Sequence, residues 1–211
     1  MPEAHRLPLR VIDGLRLEKA HRDALMPGRV LCDDTGQARR LPRYFYEIPS
    51  WDDALRVKLA PNFGLWEFIQ TDIREAVPLR TFPRYVPCAI TLVALALEQF
   101  RGAVGSFVHI AANGGYRSPA HALSRAASTH CWGTAVNIYR IGDVFLDDRE
   151  AIERFAAIAR AALPGAWTRP FGTDRGATDD HLHIDLGYVV SVPHDSPPDP
   201  VGLTIEQGEP W

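Results

Sequence analysis

Two short stretches of the chain carry side chains that could bind a metal ion or transfer protons. Residues 114–137 read GGYRSPAHALSRAASTHCWGTAVN and contain Arg117, His130 and Asn137. Residues 181–185 read HLHID. Successive side chains of a strand point to opposite faces, so a strand here would place three metal-capable side chains on one face, those of His181, His183 and Asp185. Imidazole and carboxylate groups are common zinc ligands, and together the two stretches could build a metal site.

Three predicted strands would position these side chains. Residues 107–112 are mainly apolar and end at the Asn-Gly-Gly break 113–115, which predicts a strand leading into the first stretch. Residues 134–141 alternate in polarity, and this alternation projects Asn137 from the less apolar face of a strand. Residues 181–192 are predicted to form the last strand. A metal site would therefore lie where these strands meet the loop between the first two.

The N-terminal third of the chain has mixed local signals. Asp13 is predicted to cap a helix that runs to about Met26. Residues 30–32 and 40–48 flank the Asp-Asp-Thr-Gly sequence at 33–36, which is typical of a hairpin turn. We therefore expect residues 1–60 to form an extension of mixed structure.

Helices are predicted on both sides of the first chemical stretch. Residues 65–77 are predicted to be helical. Pro87 suits the first position of a helix that is apolar nearly all round, which predicts a buried central helix ending at Gly102. Asp147 or Asp148 caps a second predicted helix, in which apolar residues recur at helical spacing.

The size and composition fit one α+β domain. The chain has 211 residues, of which 46% are hydrophobic, enough to form a core. We expect a small, mostly antiparallel sheet with helices packed on one side. The predicted divisions are the extension at 1–60, the domain at 61–192 and a proline-rich tail at 193–211.

Charge and apolar patterning argue against several classes of partner. The net charge of −3, with both signs interspersed, gives no electrostatic reason to expect nucleic acid or an anionic membrane. The first residues lack the apolar core of a signal peptide, and no run approaches the roughly 20 apolar residues of a membrane span. We therefore expect a cytoplasmic protein. Cys32, Cys88 and Cys131 form no CxxC pair and are expected to be reduced thiols.

The combined spacing resembles the zinc D-alanyl-D-alanine carboxypeptidase family, which shares its fold with the hedgehog signalling domain. The resemblance is carried by GYRSP, by the pattern S-x-H-x-x-G-x-A-x-N and by HLHID, and it extends over residues 60–190. It implies a hedgehog-like α+β fold and a metal-dependent hydrolase that cleaves an amide bond in a small peptide or a peptidoglycan stem peptide. Zn²⁺ is the favoured ion, with iron or another transition metal as alternatives.

The resemblance also implies residue roles. His130 and His183 match the two histidine ligands, and Asp180 matches the general base that passes a proton to the leaving amine, with Asp179 as its only close competitor. His181 would stabilise an oxyanion or steady the ligands, and Arg117 would contact the substrate. Two supporting hydrogen-bond donors to the substrate are implied as well, Tyr116 and Ser128.

Asn137 departs from the family pattern, which has an aspartate ligand at this position. Zinc held by two histidines and one carboxylate keeps a position open for water and lowers the pKa of that water to about 7. An asparagine can offer its carbonyl oxygen to the ion but brings no negative charge. His181 or Asp185 could then replace it as a ligand, and the identity of the metal is left open.

Three functional classes therefore remain open. The first is the metal-dependent hydrolase, acting on a small peptide or an amino-acid-derived substrate. The second is a metal enzyme with altered, non-peptidase chemistry on the same fold, and the third is a catalytically silent relative that binds a peptide or partner. An HxH pair alone has a simpler explanation as two ordinary strand residues, and His121 is expected at the surface. Agreement among several spacings favours the metal site, and the joint presence of Asp180, His181 and Arg117 favours the hydrolase.

Overall fold

The computed structural model describes residues 7–124, 126–174, 176–194 and 196–197. It has the α+β composition that the sequence predicts, with helices and several small antiparallel sheets. In chain order the strands are β1 (Arg10–Asp13), β2 (Val30–Cys32), β3 (Ala38–Arg40), β4 (Tyr44–Glu47), β5 (Lys58–Ala60), β6 (Phe63–Gly64), β7 (Tyr85–Pro87), β8 (Val108–Ile110), β9 (Ala135–Ile141), β10 (Val144–Phe145), β11 (Trp167–Thr168) and β12 (Leu182–Asp185). The α-helices are α1 (Lys19–Leu25), α2 (Trp51–Arg56), α3 (Leu65–Phe68), α4 (Val77–Arg80), α5 (Ile90–Val104) and α6 (Arg149–Ala162).

The central sheet is built around β9. Ile138 is paired with Leu182 of β12 on one side and with Ile110 of β8 on the other. β11 lies beyond β12, and every pairing in this sheet is antiparallel. Alternation turns Val136 and Ile138 into the apolar core and leaves Asn137 on the opposite face. The sheet therefore has one face against the core and one face free to carry polar groups.

The two longest helices supply much of the core beneath that sheet. α5 and α6 pack against each other, and α6 also contacts β11 and β12. Asp148 caps α6 by accepting a hydrogen bond from the backbone N–H of Ala151 at 2.8 Å, as the sequence predicts. Leu92 and Leu95 of α5 are 38% and 55% exposed. The expectation that α5 is buried all round is therefore wrong, because one side of this helix faces solvent.

The N-terminal residues form a second sheet that shares the same core. β4 pairs with β1 on one side and with β7 on the other. Phe45 of β4 is buried in one continuous cluster with Val86 of β7 and Ile138 of β9. Residues of the predicted extension thus pack directly on the rest of the molecule. The boundaries proposed at 60/61 and 192/193 stay predictions, and residues 198–211 of the expected tail lie outside the described part of the chain.

The helix predicted over residues 65–77 is wrong in its extent. α3 stops at Phe68, and a separate helix, α4, begins at Val77. The carbonyl oxygens of Phe68 and Gln70 accept hydrogen bonds from Tyr116 N–H at 2.7 Å and Asn113 N–H at 2.9 Å. Both carbonyls therefore bond to this loop instead of to amides one helical turn further along the chain. Tertiary contact with the loop before the candidate site therefore overrides the local helical preference.

Several predicted boundaries also shift at the N-terminal end. Asp13 caps only a 3₁₀ turn at Gly14–Arg16, and α1 follows as a separate helix. β2 and β3 do form the predicted hairpin, but residues 44–47 leave it and pair with β1.

Around the central sheet, the ends of helices and strands also differ from the predicted ones. Pro87 ends β7, so the central helix starts at Ile90, and it runs on to Val104 instead of ending at Gly102. The first predicted strand shortens to Val108–Ile110, and the last strand ends at Asp185. Gly187, with φ of +77°, has the left-handed backbone that ends a strand.

In the described part of the chain, no helix is long and apolar enough to cross a bilayer.

Candidate metal and catalytic site

Asn137 and His183 lie opposite each other on two neighbouring strands of the central sheet, β9 and β12. They are register partners in the antiparallel pair β9–β12 and share the face that points away from the core. Asn137 Oδ1 lies 2.8 Å from His183 Nδ1. The antiparallel register thus brings together two residues that are 46 positions apart in the sequence.

His130 reaches the same place from a 3₁₀ helix, Thr129–Trp132, that precedes β9. Its Nδ1 donates a hydrogen bond to the carbonyl oxygen of Gly115 at 2.8 Å. This bond fixes the tautomer and leaves a lone pair on Nε2, which is buried and has no hydrogen-bond partner among the described residues. The ring centroids of His130 and His183 are 5.2 Å apart.

The loop that supplies the Gly115 carbonyl packs closely against its neighbours. A Cβ atom on Gly115 would lie 2.2 Å from the carbonyl oxygen of Phe68, and one on Gly114 would lie 2.8 Å from the carbonyl oxygen of Asn137. Asn137 N–H in turn donates to the Gly114 carbonyl at 2.7 Å. Only glycine allows this approach, so the Gly-Gly pair sets the distance between the loop and β9.

His183 has two acceptors but, when neutral, only one proton to offer. Its Nε2 lies 3.4 Å from Asp185 Oδ2, while its Nδ1 faces Asn137 Oδ1. Burial is the main reason that the pKa of His183 falls to about 4, so the ring is neutral at pH 7. One of its nitrogens therefore presents a lone pair to an acceptor, unless the Asn137 amide is rotated to donate or a cation lies between Nδ1 and Oδ1.

Asp185 supports His183 as an ionised carboxylate. Burial alone would raise its pKa, but hydrogen bonds from His183, Thr129 and the Gly187 N–H lower the pKa overall. Thr129 Oγ1 donates to Asp185 Oδ2, and Gly187 N–H donates to Asp185 Oδ1, each at 2.5 Å. A carboxylate behind a histidine in this way holds the ring in one orientation.

The spacing of the two histidine rings is compatible with one divalent ion bound between them. Two imidazoles that bind one tetrahedral ion at about 2.0–2.1 Å have ring centroids roughly 5 Å apart, close to the spacing of His130 and His183. To bind the same tetrahedral ion, Asn137 Oδ1 and His183 Nδ1 would need to lie roughly 3.3 Å apart, farther than their present 2.8 Å. Among the residues that the structure describes, no group of three His, Cys, Asp or Glu side chains is arranged to hold a metal. That set of residue types does not include the amide of Asn137.

Asp180 and His181 form a pair at the start of β12. Asp180 Oδ1 lies 2.5 Å from His181 Nδ1, and Asp180 is 78% exposed, whereas His181 is only 18% exposed. Burial lowers the pKa of His181, although Asp180 raises it. The Nδ1–H of the neutral ring therefore points to the carboxylate, and Nε2 is buried without a partner among the described residues.

Arg117 is buried beside His130. Its backbone N–H donates to the His130 carbonyl at 3.4 Å, and the residue is 7% exposed. Burial lowers the pKa of its guanidinium to about 10, so it stays charged at pH 7. Its Nε has no partner in the described structure. A charged, incompletely paired guanidinium beside two imidazoles is able to bind an anionic or polarised oxygen.

Tyr116 and Ser128 are placed differently from the other predicted residues. Tyr116 lies in the main hydrophobic core, 2% exposed, and burial raises the pKa of its phenol well above the usual value. Ser128 precedes the 3₁₀ helix and accepts a hydrogen bond from the Cys131 N–H through its backbone carbonyl. Neither side chain makes a hydrogen bond to the described residues around His130. The expectation for His121 is wrong, since this residue is buried and its Nε2 is 2.9 Å from Asn113 Oδ1.

Two residues at the site have no counterpart in the sequence predictions. Thr129 fixes Asp185, as described above. Arg169 N–H donates to the His183 carbonyl at 3.3 Å, so Arg169 continues β11 beside His183. Neither residue belongs to a motif. Only the register of β11 against β12 shows that Arg169 lies here.

Comparisons with protein-family models, with curated proteins and with solved structures find no match for this chain.

Proposed function

We propose that this protein is a metal-dependent hydrolase that cleaves an amide bond in a small peptide or an amino-acid-derived substrate. One observation carries the proposal: His183 Nδ1 and Asn137 Oδ1 face each other at 2.8 Å, and the ring of His130, whose buried Nε2 has no hydrogen-bond partner among the described residues, has its centroid 5.2 Å from that of His183. A cation bound by this set would resolve the mismatch of acceptors. The resemblance to D-alanyl-D-alanine carboxypeptidases supports the same conclusion and suggests a peptidoglycan stem peptide as one candidate substrate.

A divalent ion at this position, with Zn²⁺ favoured, would polarise the amide carbonyl and lower the pKa of a water molecule. The protein's own side chains would do the rest. Asp180, exposed at the edge of the site, is the proposed general base that takes a proton from the attacking water and returns it to the leaving amine. Asp180 holds His181 through Nδ1. When the imidazole ring is protonated, its Nε2–H would donate a hydrogen bond to the substrate oxygen. Arg117 would orient the substrate.

Metal analysis of the purified protein tests the proposal directly. We expect about one divalent ion per chain by inductively coupled plasma mass spectrometry, and turnover of D,D- or L,D-dipeptides that stops when a chelator removes the ion. His130→Ala and His183→Ala should each abolish metal binding. His194→Ala, at an exposed position, is the matched control and should keep the full metal content. A wild-type protein that binds no transition metal would refute the proposal.

Asn137 specifically favours a second candidate, a metal enzyme with altered chemistry. Its neutral amide leaves the ion with more positive charge than a carboxylate would, which makes the ion more electrophilic and its binding weaker. Substitution of this residue separates the candidates, as described in the Discussion.

A further inference from the structure

Arg169, which follows β11, and Arg117, in the loop before the 3₁₀ helix, both lie beside the candidate metal site. Trp167 and Thr168 of β11 pair with Asp185 and Ile184 of β12, and one further step along this register sets Arg169 opposite His183. The 3.3 Å hydrogen bond from Arg169 N–H to the His183 carbonyl agrees with that register. Side chains directly opposite each other have Cβ atoms about 5 Å apart on one face. Asn137, His183 and Arg169 therefore form one row across three strands.

Both guanidiniums lack a carboxylate partner. Neither Arg117 nor Arg169 has an ion pair within 4.0 Å in the described structure, and each has a buried Nε without a hydrogen-bond partner. Arg117 is 7% exposed. The nearest contact of the Arg169 guanidinium is aromatic, with its Cζ 6.0 Å from the ring centroid of Trp167.

Both arginines are joined to histidines of the candidate site by backbone hydrogen bonds. Arg117 N–H donates to the His130 carbonyl at 3.4 Å, and Arg169 N–H donates to the His183 carbonyl at 3.3 Å. Both arginines therefore lie on segments that border the candidate site.

The carboxylates nearest to the two guanidiniums do not form ion pairs with them within 4.0 Å in the described structure. The charges of Asp185 and Asp34 act on Arg169, and the charge of Glu75 acts on Arg117. Asp185 already accepts two hydrogen bonds from other residues, as described above. A partly buried guanidinium without a directly paired carboxylate is costly, and an anion from outside the chain would reduce that cost.

We propose that Arg169 and Arg117 form a subsite for an oxyanion carried by the substrate, a carboxylate or a phosphate, next to the candidate metal site. Arg169 is then a specificity-determining residue that no motif of the sequence contains. This inference deepens the proposed function and rests on it only in treating the anion as part of the hydrolysed substrate. Anion binding itself requires no turnover.

Equilibrium binding of simple probes tests the subsite. Chemical-shift titrations at fixed ionic strength would use N-acetylglycine as the carboxylate, inorganic phosphate as the alternative anion, and N-acetylglycinamide as the neutral control. We expect at least one anion to bind in a saturable manner and the amide to bind at least tenfold more weakly. The anion that binds more tightly identifies the oxyanion. Equal affinity for the acid and the amide, without phosphate binding, would overturn the proposal.

Variants assign the binding to the two arginines. Arg169→Gln and Arg117→Gln should each weaken binding of the anion roughly tenfold to a hundredfold, since each removes charge-assisted hydrogen bonds. Arg56→Gln is the control for the loss of one positive charge. The Arg56 side chain is 74% exposed, and its guanidinium lies 3.9 Å from the carboxylate of Asp52, at the long end of the range for an ion pair. Arg169→Lys keeps the charge but loses the planar fork, and should give an intermediate affinity even if the glutamine variant folds poorly.

The outcomes separate this inference from the proposed function. Anion binding that depends on Arg169 in a protein without hydrolase activity would refute only the hydrolase. Hydrolysis that continues with wild-type anion affinity in Arg169→Gln would refute only the subsite.

Discussion

Asn137 Oδ1 and His183 Nδ1 lie 2.8 Å apart because β9 and β12 pair in antiparallel register with these two residues opposite each other. Both atoms are natural acceptors when His183 keeps its proton on Nε2, toward Asp185. The chemical group at position 137 therefore decides between two arrangements. Either the two side chains share a hydrogen bond, or both are ligands of one metal ion.

Asn137→Asp tests whether position 137 is a metal ligand. A carboxylate offsets the charge of a divalent ion, so zinc affinity should rise at least tenfold, measured by competition with a chromophoric chelator. For a weakened hydrolase, dipeptide turnover should rise together with affinity. For a metal enzyme with altered chemistry, affinity should rise while the native activity falls. For a silent relative, metal content changes and no turnover results. Unchanged zinc affinity would remove position 137 from the ligand set.

Asp180→Asn tests the general base. Because Asp180 lies outside the proposed ligand set, we expect the metal content to stay at the wild-type value while kcat falls roughly 10²–10⁴-fold. Asp179→Asn, a change of the same kind at the neighbouring exposed position, is the control and should keep kcat within about twofold of wild type. Full turnover in Asp180→Asn would show that another group, with His181 the nearest, accepts the proton.

Gly115→Ala tests how the loop positions His130. A Cβ atom 2.2 Å from the Phe68 carbonyl oxygen must displace the backbone, and with it the Gly115 carbonyl that holds His130 Nδ1. We expect a loss of about 1–3 kcal/mol in the free energy of unfolding, together with weaker metal binding. Denaturant unfolding and chelator competition measure the two effects.

Gly102→Ala is the matched glycine control. Gly102 lies inside α5 with open space where a Cβ would stand, so alanine should stabilise the protein by about 0.5–1 kcal/mol. Metal affinity should not change. Equal stability of the two alanine variants would contradict the role given to the Gly115 contact.

The ion pair of Asp13 and Arg43 predicts a stability that depends on acid pH. Hydrogen bonds from Arg43, at 2.9 and 2.7 Å, lower the pKa of the buried Asp13 below its ordinary value in spite of burial. Because the pKa of Asp13 is lower in the folded state than in the unfolded state, the ionised carboxylate stabilises the protein at pH values above the unfolded-state pKa of about 3.9. This contribution is lost as the pH falls through the folded-state pKa. Asp13→Asn should thus lower the free energy of unfolding by about 2–3 kcal/mol at pH 7, and by clearly less near pH 2.

Urea unfolding of the wild type and Asp13→Asn at both pH values measures that difference. Asp23→Asn is the control, since Asp23 pairs with Lys19 on the surface, where such pairs contribute little. A difference between wild type and Asp13→Asn that is the same at both pH values would show that Asp13 acts through packing and not through its charge.

The sequence by itself determined the local parts of this protein. Strand alternation placed Asn137 on the polar face of β9, and His183 follows the same rule in β12. The cap at Asp148 and the apolar repeat that follows were sufficient to predict α6. These features depend on contacts within a few residues, or on patterns along one element. The resemblance carried by S-x-H-x-x-G-x-A-x-N and HLHID then implied His130, Asn137 and His183 as a set, and β9 and β12 place two of them, Asn137 and His183, opposite each other.

Tertiary structure decided what depends on contacts between distant segments. α3 ends early because the carbonyls of Phe68 and Gln70 bond to the loop at 113–116. His121 is buried by its contact with Asn113, although its neighbours in the sequence are those of a surface turn. Arg169 comes beside His183 only through the pairing of β11 with β12. Hydrogen-bond register and burial are properties of the packed chain, and no local pattern encodes which backbone group will be satisfied by a segment many residues away.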